Sequence, residues 1–182
     1  KAPTMEDPNG AGDAAVISLE DVRLVKRSSQ RRFVLDIPSL DVREGEVLGV
    51  IGANGSGKSS LVRVMGLLER PSSGRVRAFG EVAGPGNTLR LRRRMAHVFQ
   101  EPLLLSCSVM ENVRVGLALR GVRGRALEER AERWMRKLGI LHLAKQFAPT
   151  LSGGEAQKLS LARAFALDPD VIFLDEPFSS LD

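Results

Sequence analysis

Cysteine, histidine, tyrosine and long apolar runs are scarce or absent in this chain of 182 residues. The single cysteine, Cys107, excludes an internal disulfide framework and a zinc site built on a cysteine cluster. The only two histidines, His97 and His142, lie far apart in the sequence, which argues against a histidine-rich metal site. No apolar run approaches the roughly 18 residues of a membrane-spanning helix, so the sequence does not predict an integral membrane protein.

Aromatic residues make up only 4% of the chain, although its net charge is +5. Basic charge without aromatic rings to stack on bases argues against a nucleic-acid partner, so the arginines are interpreted as solvated surface. Hydrophobic residues make up 43%, which excludes wholesale disorder and allows one domain or part of one. Residues 1–14 lack periodicity and predict a loose tail, which leaves residues 15–182 as the domain.

Apolar patterns in the rest of the chain alternate between strand and helix periodicity. We predict a parallel α/β sheet from the short apolar runs, with a helical subdomain at about 101–150. Strands are predicted at 16–25, 33–42 with an interruption at Pro38, 47–51, 75–80, 95–99 and 171–174. Helices are predicted at 58–68, 107–119, 125–138 and 151–167.

Residues 52–59 read GANGSGKS and fit the phosphate-loop pattern G-x-x-x-x-G-K-[ST]. Gly55 and Gly57 allow the backbone to curl so that its N–H groups form an anion nest. The helix that follows adds its positive N-terminal end. In this pattern Lys58 brings a charge to the β and γ phosphates and the Ser59 hydroxyl reaches Mg²⁺.

A second candidate site is the pair Asp175 and Glu176, which directly follows the apolar run 171–174. In open α/β sheets, ligands bind at the carboxyl ends of the strands. Asp175 is therefore expected to hold Mg²⁺ or its water, and Glu176 to orient and deprotonate an attacking water.

The segment LSGGE at 151–155 predicts a second anion site. Ser152 can cap the helix that follows, and Gly153 and Gly154 leave backbone N–H groups at the helix N-terminus. One chain with two sites for a γ-phosphate suggests that each site is shared between two chains.

With these motifs in place, the sequence resembles the ATP-binding-cassette (ABC) ATPases over about residues 16–182. The resemblance rests on five motifs in order: the Walker A loop GANGSGKSS (52–60), the Q-loop VFQEP (98–102), the signature LSGGEAQ (151–157), Walker B VIFLDEP (171–177) and the start of the D-loop, SSLD (179–182). It implies a P-loop NTPase, RecA-like parallel core with an N-terminal antiparallel β part and a helical subdomain. It also implies head-to-tail homodimers that enclose two ATP molecules.

The resemblance implies further roles for individual residues. Gln100 would sense Mg²⁺ and the attacking water, so that Gln100 and Glu176 form the catalytic pair. Asp182 would help to form the D-loop contact between subunits. Mg²⁺ would be held by Ser59, Gln100 and Asp175. Nucleotide would be bound by Gly52, Asn54, Gly55, Ser56, Gly57, Lys58, Ser59, Ser60, Ser152, Gly153 and Gly154.

Two features depart from the family pattern. The aromatic residue that stacks on adenine is expected near Val25 or Lys26, and neither is aromatic; Phe33 could substitute, or adenine could be held weakly. The family's switch histidine and the closing strands and helices would follow Asp182. We therefore expect a C-terminally truncated domain, whose own hydrolysis is an open question.

Segment 92–121 is most similar to bacterial importer subunits for oxyanions of the tungstate and molybdate type. In such importers the surface after the Q-loop grips a membrane subunit, and the apolar run 102–105 would either line that groove or pack inside the helical subdomain. The resemblance thus implies an ATPase on the cytoplasmic side of the membrane, partnered by transmembrane permease subunits and indirectly by a substrate-binding protein. The alternatives are an exporter or lipoprotein-release subunit, a soluble non-transport ABC ATPase, and a binding module without turnover.

Overall fold

The structure, a computed structural model, describes residues 15–27 and 32–177. The chain divides between Leu91 and Arg92 into two compact units. The predicted tail at 1–14 and the D-loop prediction at 179–182 lie outside the described residues. Among the helices that the structure describes, none combines the length and hydrophobicity that a membrane crossing requires.

The first unit contains a four-stranded antiparallel sheet in the order β2-β1-β3-β4. The strands are β1 Ala15–Arg27, β2 Arg32–Arg43, β3 Ser73–Ala78 and β4 Glu81–Val82. In β1 the buried residues are Ile17, Leu19, Val22 and Leu24, so the alternation shifts by one residue in the middle of the strand. A bulge between Glu20 and Arg23 absorbs that extra residue and keeps all four side chains on the core face.

At the bulge the backbone of β1 leaves no room for a side chain at Gly74 of β3. Asp21 takes a φ of 49° there, and a Cβ at Gly74 would stand 2.2 Å from the Asp21 carbonyl oxygen. Gly74 itself has a φ of +83°, so only glycine fits the position both in space and in backbone conformation.

The predicted interruption of β2 at Pro38 is wrong, because β2 runs without a break from Arg32 to Arg43. Ile37 and Ser39 on either side of the proline both keep their partners in β1. Among the described strands β2 lies at one edge of the sheet, and an edge strand tolerates proline because one side of its backbone has no ladder to complete.

Helix α1, Lys58–Met65, agrees with the predicted helix, buries Leu61, Val64 and Met65, and ends at Gly66. The predicted buried strand at 47–51 is wrong. Residues 46–53 form no strand, and the side chains of Val47 and Ile51 are 95% and 98% exposed. An apolar run becomes a buried strand only where neighbouring strands pair with it and cover it, and no described strand pairs with this one.

The second unit combines a parallel strand pair with a helical part, and α2, Thr88–Arg92, spans the division between the units. The strand pair is β5, Met95–Val98, and β6, Val171–Leu174, in the register Met95↔Val171 to Val98↔Leu174. The helices are α3 Val109–Leu119, α4 Gly124–Lys137 and α5 Gly153–Ala166, with 3₁₀ turns at Leu141–Leu143 and Ala148–Thr150.

The main core of this unit lies between α3, α4 and α5, around Leu117, Met135 and Leu159. A smaller cluster packs Leu161 and Ala164 of α5 against Ala96 and Val98 of β5. Helix α5 therefore belongs to both the helical part and the sheet. This position matters for the site, because α5 begins directly after Ser152.

Candidate active site

The phosphate loop of the first unit is a tight turn that leads into α1. Ser56 donates its backbone N–H to the Ala53 carbonyl oxygen at 3.1 Å, and Gly55 and Gly57 have φ values of +79° and +105°. These left-handed conformations are the reason why glycine is required at both positions. Gly57 is also the N-cap of α1, so the positive end of the helix faces the loop.

The Lys58 side chain folds back over this loop. Its Nζ donates to the carbonyl oxygens of Gly52 at 2.9 Å and of Ala53 at 3.1 Å. The ammonium group therefore sits beside the curled backbone, where a bound phosphate would replace the two carbonyl oxygens as its partner.

Lys26 stands at the place where the family resemblance predicts an aromatic ring. Its Nζ donates to Glu69 at 2.7 Å and to the Ser60 hydroxyl oxygen at 3.2 Å. These contacts hold β1 against α1, so Lys26 has a structural role. As a lysine it offers no aromatic ring on which adenine could stack. The contacts also engage Ser60, one of the predicted nucleotide ligands.

Phe33, the alternative aromatic residue, pairs with Lys26 across the β1–β2 ladder. A Cβ placed on Gly57 would stand 2.7 Å from its Cζ, so the ring packs directly against the phosphate loop. The ladder register thus brings the candidate aromatic to the loop from the neighbouring strand.

In the second unit the structure brings Gln100 and Glu176 together. The Gln100 Nε2 donates to the Glu176 Oε2 at 3.0 Å. Each residue lies two positions beyond the end of its strand, and Val98 and Leu174 are paired in the parallel register. The strand pairing therefore sets two residues that are 76 positions apart in sequence at one sheet edge.

The backbone of the acidic pair is held by the same ladder. Asp175 donates its N–H to the Val98 carbonyl oxygen at 2.9 Å, which extends the pairing by one residue. Glu176 then turns into the left-handed region with a φ of 48°. A non-glycine residue in this conformation carries strain, and such strain concentrates at functional sites.

Ser152 caps α5 as predicted, within a reciprocal capping box with Glu155. The Ser152 N–H and hydroxyl donate to Glu155 Oε2 at 2.8 and 2.7 Å, and the Ser152 oxygen accepts from the Glu155 N–H. These hydrogen bonds from Ser152 are the main cause that lowers the pKa of the Glu155 carboxyl. The amides of Gly153 and Gly154 precede the first intrahelical bond, which Ala156 donates to the Ser152 carbonyl.

Sequence reasoning gave no separate role to two other residues of α5 that bind the Q-loop segment. Gln157 is 1% exposed, and its Nε2 donates to the Phe99 carbonyl oxygen at 3.4 Å. Arg163 donates through Nη1 to the Leu103 carbonyl oxygen, and burial lowers the pKa of its guanidinium. The place of Gln157 within the signature motif was the only signal available in the sequence.

The apolar run after Gln100 divides between surface and core. Leu103 and Leu105 are 65% and 40% exposed, whereas Leu104 packs against the helical core. Asn112, 1% exposed, fixes the segment. Its amide oxygen accepts from the Leu105 N–H at 2.8 Å and its amide nitrogen donates to the Leu105 carbonyl oxygen at 3.0 Å.

The predicted metal ligands, Ser59 in the first unit and Gln100 and Asp175 in the second, have donor types that fit Mg²⁺. Ser59, Gln100 and Asp175 offer hydroxyl, amide and carboxylate oxygens, the hard ligands that Mg²⁺ prefers alongside phosphate oxygens. The hydrogen bond to Glu176 uses the amide nitrogen of Gln100, which leaves its amide oxygen for a cation.

Comparison with known proteins agrees with these motifs. The sequence profile of the ABC transporter family matches residues 35–179. The chain belongs to the ABC transporter family.

Among the relatives of this ABC domain is the methionine import ATP-binding protein MetN of Streptomyces griseus, 44% identical over 81% of this chain and 44% of that protein. The taurine import ATP-binding protein TauB of Pseudomonas aeruginosa is 37% identical, over 86% of this chain and 58% of that protein. The lipoprotein-releasing system ATP-binding protein LolD of Chromohalobacter salexigens is 34% identical, over 97% of this chain and 77% of that protein. The chain spans about half the length of the methionine-import relatives.

Solved structures confirm the fold. The ATP-binding cassette MJ0796, in a dimeric post-hydrolysis state bound to ADP and Pi, matches with a TM-score of 0.84 and 27% identity, over 91% of this chain and 76% of that chain. CbiO1 of Clostridium perfringens, part of the transporter complex cbiONQ, matches with a TM-score of 0.76 and 27% identity, over 92% of this chain and 68% of that chain. The predicted P-loop NTPase fold of the ABC type is therefore confirmed. The three relatives described above are named for methionine, taurine and lipoprotein systems, not for tungstate or molybdate.

Proposed function

We propose that this chain is the ATP-binding and ATP-hydrolysing part of an ABC importer. The observation that carries the proposal is the hydrogen bond of 3.0 Å between Gln100 and Glu176 at the ends of the paired strands. A carboxylate beside an amide side chain at this edge suits the positioning and deprotonation of a water molecule.

The proposed tasks divide between phosphate and metal. Lys58 and the loop amides bind the β and γ phosphates. Ser59, Gln100 and Asp175 would hold Mg²⁺, which would neutralise charge on the phosphates when bound. Glu176 accepts the proton of the attacking water, and Gln100 orients that water. The hydrogen bond from Gln100 holds the Glu176 carboxylate at this edge, and the left-handed backbone of Glu176 is of a kind that concentrates at functional sites.

Hydrolysis is proposed to occur in a homodimer. Ser152, Gly153 and Gly154 would bind the γ-phosphate held by the partner subunit, using the amides at the start of α5. The dimeric state of the similar cassette MJ0796 supports this arrangement. The closed dimer is stabilised by ATP and loses that stabilisation when the γ-phosphate leaves, which is how binding energy would drive transport.

The proposed partners are transmembrane permease subunits, with a substrate-binding protein acting through them, and the proposed location is the cytoplasmic face of the membrane. Leu103 and Leu105 support a permease contact because they are exposed apolar side chains on a segment held firmly by Asn112. Leu103→Asp should therefore weaken assembly with the permease, whereas Leu104→Asp should unfold the helical core instead.

We propose a small solute as the cargo. The relatives named for methionine and taurine import support this class, and the oxyanion type is the narrower prediction from segment 92–121. The test is stimulation of ATP hydrolysis in proteoliposomes that contain the cognate permease. Stimulation by tungstate or molybdate would support the oxyanion prediction. Stimulation by an amino acid or a sulfonate would support the cargo class of the methionine and taurine relatives.

The first test is phosphate release from Mg-ATP, with Glu176→Gln as the control. Turnover that Glu176→Gln abolishes, with ATP still bound and a dimer trapped, supports the proposal. Lys58→Ala should abolish tight ATP binding. Turnover that is unchanged in Glu176→Gln would exclude Glu176 as the base.

A second candidate function is a lipoprotein-releasing subunit. It is favoured by the relative LolD, the match that covers 97% of this chain and 77% of its own length. Both candidates require the same ATPase chemistry and differ in the permease. Reconstitution with each type of permease, scored by which one stimulates hydrolysis, distinguishes them.

A further inference from the structure

Gln157 is, with Ser160, one of the two polar residues that α5 buries. It is 1% exposed and neighbours the buried residues Leu159 and Leu161 along α5. Its Nε2 makes one hydrogen bond, to Phe99, while its Oε1 is buried and accepts none from the residues that the structure describes. An acceptor left in this way costs about 1–3 kcal/mol, so stability alone would favour an apolar residue.

The hydrogen bond of Gln157 is made to the backbone directly before Gln100. Phe99 directly precedes Gln100, and its carbonyl belongs to the peptide group that joins the two residues. The same planar peptide group carries the Gln100 N–H and leads to the Gln100 Cα, so this hydrogen bond restrains the backbone from which the Gln100 side chain leaves.

Arg163, on the same helix, holds the other side of the segment. It donates to the Leu103 carbonyl oxygen, three residues after Gln100. Helix α5 thus binds the backbone both before and after Gln100. In the part of the chain that the structure describes, no carboxylate pairs with Arg163, so its partly buried charge is directed at this carbonyl.

We propose that Gln157 and Arg163 are positioning residues that couple the signature end of α5 to the Gln100–Glu176 pair. Gln157 lies five residues after Ser152, about 8 Å along the helix axis. A shift of α5 when the signature binds a phosphate is passed through Gln157 to the Phe99 carbonyl and so to Gln100. Hydrolysis then depends on occupation of the signature. This inference rests on the proposed ATPase function.

The test compares Gln157→Met with the wild-type protein. Methionine keeps the length and volume of glutamine but cannot donate a hydrogen bond. We expect kcat for Mg-ATP to fall about tenfold with KM within about twofold, because Lys58 and the loop amides still hold the phosphates and a misplaced Gln100 acts mainly on the chemical step. The melting temperature should stay the same or rise, since a buried acceptor has been removed, whereas a merely structural glutamine would lower it.

Two controls complete the design. Gln146→Met makes the same exchange at a glutamine of this unit whose side chain bonds Thr150, and it should leave kcat unchanged. Arg163→Lys keeps a charged donor for Leu103 and should retain most of the activity, whereas Arg163→Met should match Gln157→Met.

The rate of amide hydrogen exchange in residues 99–107, measured without nucleotide, tests the positioning role independently of turnover. Faster exchange in Gln157→Met, but not in Gln146→Met, would support the proposal that Gln157 holds this backbone in place. Unchanged exchange, or an unchanged kcat in an active protein, overturns the proposal. A wild-type protein without turnover would overturn the proposed function, and exchange would then decide the role of Gln157.

Discussion

The ring of Phe33 packs against Gly57, so that a Cβ on the glycine would stand 2.7 Å from Cζ and 3.2 Å from Cε2 of that ring. Gly57 combines this close contact with a φ of +105° at the N-cap of α1. The aromatic ring therefore packs against the phosphate loop and keeps the start of α1 in place. Phe33 is also the aromatic residue that could substitute for the one expected near Val25 or Lys26.

Gly57→Ala should damage both stability and nucleotide binding. Alanine in the left-handed region costs about 1–2 kcal/mol, and the clash with Phe33 adds to that. Because the loop amides must move to relieve the clash, we expect ATP affinity to fall at least about tenfold. Denaturant unfolding and titration with a fluorescent ATP analogue measure the two effects.

Gly45→Ala is the matched control, because Gly45 has a φ of +74° and open space around it. It should show only the backbone cost and normal ATP affinity. Adding Phe33→Leu to Gly57→Ala should recover part of the lost stability. If Gly57→Ala and Gly45→Ala are destabilised equally, the contact with Phe33 has no energetic weight.

The sequence predicted those parts of the fold whose signal is local. The turn chemistry of the phosphate loop, the Ser152 cap and most helices follow from neighbouring residues, and the structure has them. Pro38 and the segment 47–51 were mispredicted because their state depends on strand neighbours, which no local pattern specifies. Gln157 had no assigned role for the same reason, since a glutamine on a helix is usually solvated.

Glu176→Gly should separate stability from activity. Glycine adopts a φ of 48° without strain, so unfolding free energy should not fall and should rise by up to about 1 kcal/mol. Loss of the base should reduce phosphate release at least about a hundredfold. Thermal denaturation and a phosphate-release assay measure the two quantities.

Asp168→Gly serves as the control for this pair of effects. Asp168 has a φ of 52° just after α5, away from the strand ends that carry Gln100 and Glu176. It should show the same relief of strain with normal turnover. A Glu176→Gly protein that is strongly destabilised would mean that the carboxylate holds the local fold.

The capping box should give the protein a stability that depends on pH. Because Ser152 lowers the pKa of Glu155 in the folded state, the box stabilises the protein above the unfolded-state pKa of about 4.3. That stability is lost as the pH falls through the lower folded pKa. Glu155→Gln should therefore lower the melting temperature at pH 7 and have less effect at pH 3.

A double-mutant cycle checks that Ser152 is the partner responsible. Ser152→Ala should remove most of the pH-dependent difference, and Glu155→Gln in that background should add little. Independent effects of the two substitutions would show that another charge near Glu155, such as His142 or Lys158, controls its carboxyl.

Asn112→Ala should loosen the segment after the Q-loop. The side chain bonds both backbone groups of Leu105 and donates to the Ser108 carbonyl and the Cys107 Sγ. Losing these buried bonds should cost about 2–3 kcal/mol of unfolding free energy.

The thiol of Cys107 reports on the same segment. Burial, together with the charge of Glu111, raises the pKa of this thiol. A loosened segment should therefore lower that pKa and speed the reaction of Cys107 with an aromatic disulfide reagent at pH 8.

The control is Asn87→Ala, which removes side-chain bonds to Gly84 and Val82 in the first unit. It should destabilise the protein without changing the thiol rate. An unchanged thiol rate in Asn112→Ala would mean that α3 and Arg163 hold the segment without this side chain.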